Sequence, residues 1–154
     1  MNALVNDQLG RLRSLFDDPR VRTLFQNWSG RLPRFARYTS RTPYAGVRDK
    51  GKDGRRLKSF RDFYVDIEDA CSGDDDAQRA AAQRVKQQLV ERGKWPAKPD
   101  LATWYGDGEW KSRQSQEYQR AITLPNDAEL VTRHEVQKAP SDLLVTNYSM
   151  LEYM

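Results

Sequence analysis

The sequence predicts an α/β fold, and three stretches carry that expectation. "LLVTNYSMLEYM", residues 143–154, is an apolar strand pattern that turns at Thr146-Asn147 into an apolar helical pattern. "MNALVNDQ", at the start, reads as the end of a strand turning into a helix. "RFARY", residues 34–38, alternates as a strand does and runs into the small hydroxyl residues Thr39 and Ser40. Strands that hand over to helices at short polar turns belong to parallel sheets, whose ligands bind at the carboxyl ends of the strands.

The elements follow in order. Val5, Leu9, Leu12 and Phe16 form a helical stripe behind a candidate N-cap at Asn2. Pro19 should open a second short helix, "PRVRTLFQNW", that ends near Gly30. The strand at 34–38 comes next, and the Gly- and Arg-rich run from "TSRTPYAG" to "DKGKDGRR" is expected to be loop. Leu57, Phe60, Phe63 or Tyr64, and Ile67 then trace an amphipathic helix. Ser72 and Asp74 to Asp76 precede "AQRAAAQRVKQQLVERG", where acid at the start and Gly93 at the end frame a helix. "KWPAKPDLATWYGDGEW" reads as aromatic loop, with its Trp residues pinned in a core in preference to forming a protein-interaction surface. Helices are expected near 111–121 and over 127–137, before the last strand and its helix.

Bulk properties narrow the class. The 154 residues suit one domain able to bury a core, and four Trp and seven Tyr argue against simple disorder. A lone Cys71 excludes an internal disulfide, no apolar run reaches membrane-spanning length, and no signal-peptide pattern opens the chain, so a cytoplasmic location is expected. Charge is uneven. Residues 1–66 hold 15 Lys and Arg against 7 Asp and Glu, net +8, and residues 67–154 hold 11 against 15, net −4. Charge alone leaves a polyanion partner and an ordinary solvated surface as open alternatives.

Several signals fail. "GVRDKGK" has the glycine and lysine skeleton of a P-loop, but Asp53 stands where a hydroxyl should reach Mg²⁺, and no apolar strand precedes it. "HEVQK" begins like a zinc-protease helix, yet Lys138 occupies the second His position. His134 therefore reads as a helix-surface or packing residue, and Asp74-Asp75-Asp76 as a helix N-terminal charge cluster. The strand–helix turns are different. A helix N-terminus offers free backbone N–H groups and partial positive charge, which suit phosphate, and Asn2, Thr146 and Asn147 add small polar side chains there.

Three of these stretches also resemble motifs of the superfamily 2 DEAD/DEAH-box helicases. "MNALVNDQLGRLR" resembles motif Ia of the subgroup reading "YP-x-NAL-x-x-DQ-x-x-RLR". "RYTSRTP" resembles its "YTGRTP", motif Ib, with Ser40 in place of Gly. "SDLLVTNYSMLEYM" resembles its "PDILVTNYSMLEYML", motif Ic. They occur in the family's order. The resemblance implies a partial RecA-like parallel sheet flanked by helices, with residues 44–125 a largely helical insertion in an incomplete first domain spanning 1–154. It also implies a groove that holds one nucleic-acid strand, DNA in the first instance, by its backbone. Asn2, then Thr39, Ser40 and Arg41, then Thr146 and Asn147 are the implied contacts, which position a strand and carry no sequence code.

The family's P-loop, its DEAH carboxylates and its second domain are not among these 154 residues. The expectation is therefore a helicase fragment that does not hydrolyse ATP by itself. ATP and Mg²⁺ belong to the parent, the rest of the helicase is a partner, and the isolated sheet is expected to be poorly stable. A stand-alone basic nucleic-acid-binding module is the alternative.

Overall fold

The computed structural model describes residues 2–44, 52–106, 109–111, 117–119 and 123–147. Its centre is a three-stranded parallel sheet in the order β4 (Glu129–Leu130), β1 (Phe35–Tyr38), β5 (Leu143–Thr146). The middle strand is covered on both faces. Phe35 turns one way, toward Leu9 and Phe16 of α1 (Asn2–Asp17) and Ala128. Ala36 and Tyr38 turn the other way, toward Leu130, Leu144 and Val136 of α6 (Arg133–Lys138). This is the expected α/β arrangement, a partial RecA-like sheet with helices on both sides.

The stripe on α1 buries as its spacing predicts: Val5, Leu9 and Phe16 are buried and Leu12 half-buried. Asn2 is the first helical residue and not the cap. The last turn of α1 meets the amino end of β1, where Phe16 stacks on Phe35 with ring centroids 5.5 Å apart. Asn2 belongs to the opposite end of that helix. Asp18 caps α2 (Pro19–Ser29) by accepting from the Arg20 N–H, and Gly30 closes it at φ 70°, as Pro19 and Gly30 foretold.

Between β1 and β4 the chain is mostly helical and has a core of its own. Leu57 and Val65 of α3 (Lys52–Cys71) meet Trp95 and the fully buried Leu101 and Trp104. Tyr64, not Phe63, turns inward. Asp75 caps α4 (Asp76–Glu91) by accepting from two N–H groups. Gly93 follows at φ 62°, so close to α1 that a Cβ there would lie 2.5 Å from the Gly10 carbonyl oxygen.

Four further expectations are corrected. The helix α3 opens at Lys52, so "DGRR" is helical and not loop, because once the Leu57 stripe forms a turn, each added residue contributes a further bond. The aromatic segment contains a short helix, α5 (Leu101–Gly106). Glu68 of α3 accepts its Leu101 and Ala102 N–H groups, and Asp100 accepts that of Thr103. In place of a helix near 111–121, β2 (Glu109–Lys111) pairs antiparallel with β3 (Glu117–Gln119). That stretch is polar all round, so a helix there would have no stripe to bury. Residues 127–137 split into β4 and α6, divided at Thr132. The Thr132 hydroxyl accepts from the Glu135 N–H while the Glu135 carboxylate accepts from the Thr132 N–H, a full capping box. Residues 46–51 of the P-loop-like skeleton, and the helix expected after Asn147, lie outside the described residues.

A buried polar knot ties the two cores together. The Lys98 ammonium, fully buried, donates to Asp127 at 2.6 Å and to Glu135 at 2.9 Å. Glu135 also accepts from the Trp104 indole and the Thr123 hydroxyl. Burial raises the pKa of Asp127 despite Lys98, and its Oδ1 has no partner among the described residues.

Candidate nucleic-acid interface

The parallel register decides where the implied strand contacts fall. Tyr38 pairs with Thr146 at the last position of both β1 and β5. The chain then leaves both strands at the carboxyl edge of the sheet, so Thr39, Ser40 and Arg41 stand beside Thr146 and Asn147. The Thr146 hydroxyl donates to the Tyr38 carbonyl at 2.5 Å and joins the two ends. Five of the six expected residues are thus brought together, and Asn2 opens the helix packed along one face.

The turn after β1 is built to hold its shape. Thr42, fully buried, donates its hydroxyl to the Arg37 carbonyl at 2.7 Å and accepts the Thr39 N–H at 3.0 Å. The Thr39 hydroxyl accepts the Arg41 N–H at 3.3 Å. Arg133, the first residue of α6, spans the turn. Its guanidinium donates to the Thr42 and Thr39 carbonyls at 3.1 Å each and to the Tyr44 hydroxyl at 3.0 Å. The same group lies over the rings of Tyr38 and Tyr44, at 5.4 and 4.7 Å from their centroids. Arg56 of α3 donates to the Ser40 carbonyl at 2.6 Å.

This scaffolding sorts the expected residues by role. Thr39 is buried and the Thr146 hydroxyl is used within the protein, so both act by shaping the turn. Ser40 and Arg41 are exposed on its outer side, and Asn147 is half-buried beside them. The sequence pattern contained no sign of Arg133 as the organiser of the turn, because its partners lie about 90 residues away in the chain.

At the opposite edge, Asp142 ties the starts of β1 and β5. It accepts from both terminal nitrogens of Arg31, at 2.7 and 2.8 Å, and from the Arg34 N–H at 2.8 Å. These donors lower its pKa to about 2.

No protein-family model matches the chain, and no solved structure matches it. The chain is similar to the Druantia protein DruE of Escherichia coli (strain UMEA 4076-1). Identity is 38% over 171 aligned residues that cover all of this chain. The chain spans about 8% of the length of that relative. The likeness therefore extends through the helical stretch between β1 and β4 and is not confined to the three motif-like segments. Among the described residues, no helix is long and apolar enough to cross a membrane.

Proposed function

We propose that this chain is part of the first RecA-like domain of a large superfamily 2 DEAD/DEAH-box helicase or translocase, of the kind that works in DNA repair or anti-phage defence. Its share of the work is to hold one nucleic-acid strand by its backbone across the carboxyl ends of β1 and β5. The observation that supports this most is the pairing of Tyr38 with Thr146, which sets the motif Ib-like and motif Ic-like turns side by side at one sheet edge. Ser40, Arg41 and Asn147 supply the contacts, Thr39 and Thr146 shape the turns, and Asn2 adds the start of α1. The similarity to a protein of which this chain spans about 8% fits a part of a much larger machine. ATP and Mg²⁺ are handled by other parts of that machine.

Contacts of this type are electrostatic and indifferent to sequence. A labelled single-stranded DNA oligonucleotide, titrated with the chain and followed by fluorescence anisotropy, tests the reading. Affinity is expected to fall steeply with salt, with a log–log slope of about −0.7 for each phosphate neutralised, and to change little with base sequence. Absence of binding at low salt, or binding confined to one sequence, would contradict it.

A further inference from the structure

Beside the turn after β1 lies a cavity of about 660 Å³, within the usual range for small-ligand sites. Five arginines line it: Arg13 from α1, Arg37 from β1, Arg41 from the turn, and Arg55 and Arg56 from α3. Among the lining residues the single carboxylate is Glu129 of β4, and it is already engaged. Arg13 donates to both of its oxygens, at 2.6 and 2.8 Å, and the Ala97 N–H donates at 3.0 Å. Burial works against the Glu129 charge, yet Arg13 holds the carboxylate below its ordinary pKa. Glu129 therefore offsets Arg13, and neither Arg37 nor Arg41 makes an ion pair among the described residues.

Arg37 is the telling residue. It lies two positions after Phe35 on β1, on the face that α1 covers, where an apolar side chain would continue the core. It is half-buried and makes no ion pair among the described residues. Burial lowers its pKa, and the neighbouring cations of Arg13 and Arg41 lower it further, against the pull of Glu129. Gathering like charges at a partly buried site is costly unless an anion is taken up. Arginine's planar fork matches phosphate oxygens in particular.

We propose that this cavity is a phosphate-binding site, which takes a phosphate-bearing anion on the guanidinium groups of Arg37, Arg41 and Arg55. Two sources share that chemistry: a backbone phosphate of a strand crossing Ser40 and Arg41 at the rim, and a free organic phosphate. The first source rests on the function proposed above, and the second does not.

Two probes separate the sources. Inorganic pyrophosphate binding is measured by calorimetry and single-stranded oligonucleotide binding by anisotropy, on the chain and on its Arg37→Gln and Arg55→Ala variants, each checked for folding by circular dichroism. Each variant is expected to weaken pyrophosphate binding about tenfold, as loss of a charged hydrogen bond should. A parallel loss for the oligonucleotide assigns the site to the strand, and an unchanged oligonucleotide affinity assigns it to a free phosphate. Either result supports the site. Pyrophosphate bound equally well by both variants, or not at all by the parent chain, overturns it. Parent-level oligonucleotide binding would in that case leave the proposed function standing. Pyrophosphate binding that depends on Arg55, with no oligonucleotide binding at all, sinks the function and keeps the site. Arg55 is exposed on α3, so its variant decides the matter even where Arg37→Gln fails to fold.

Discussion

Lys98 carries the largest single-residue consequence in the molecule. Its ammonium is fully buried and joins two carboxylates, Asp127 ahead of β4 and Glu135 on α6. Removing one partner of such a group leaves charge buried without compensation, at about 3–5 kcal/mol. Lys98→Ala should therefore lower stability by that amount in urea unfolding, if the chain unfolds in two states; a loss below about 1 kcal/mol would show the knot to be incidental. Asp142 carries the pH dependence. Its folded pKa, about 2, lies below the unfolded value of about 3.9, so its contribution is present above about pH 4 and is lost as pH falls toward 2. Both partners are more than a third exposed, so screening holds the pair to about 1 kcal/mol or less. Asp142→Asn should lower stability slightly at pH 7 and not at pH 2, which urea unfolding at the two pH values measures. At this scale the sequence marked Thr39, Ser40 and Arg41 as one group, and the structure divides them. Burial decides that division, and the carbonyl of the buried Thr39 is held by Arg133, far away in the chain.

Elements with an end signal and a stripe were legible. The helices α1, α2 and α4 fall where periodicity, Pro19, Asp75 and the closing glycines place them, and β1 and β5 fall on their apolar runs. Elements held by distant partners were not. The helix α5 needs Glu68 from α3 at its amino end, and β2 needs β3 beside it. The break between β4 and α6 lies between these cases. "TRHE" at 132–135 is a capping box by its residue types, but 127–137 also reads as one continuous helix. Thr132 satisfies that helix end and is fully buried. Thr132→Ala should cost about 1–2 kcal/mol, and Thr132→Ser should recover most of it. Equal stability of the three proteins by thermal unfolding would remove the cap from the account.

For the whole molecule, the charge asymmetry read from the sequence takes a definite shape. The basic first half supplies α1, β1 and the start of α3, and these gather Arg13, Arg37, Arg41, Arg55 and Arg56 around one cavity beside the carboxyl edge of the sheet. The acidic second half is spent partly inside, where Asp127, Glu129 and Glu135 hold Lys98 and Arg13. The fold class was legible because parallel strands with polar carboxyl-end turns leave a local trace. The cavity was not, because its lining comes from α1, β1 and the turn after it, α3 and β4, which meet only in the folded chain.

On the proposed function, the carboxyl ends of β1 and β5 hold the strand, in preference to positive charge at large. One comparison tests it: oligonucleotide affinity against salt for Arg41→Ala, exposed at those ends, and for Arg20→Ala, exposed at the start of α2 near the opposite edge. Each removes one positive charge. Arg41→Ala is predicted to weaken binding several-fold and to flatten the salt slope by about 0.7, with Arg20→Ala close to the parent chain. Equal losses in the two variants, or no loss in Arg41→Ala, would contradict the claim.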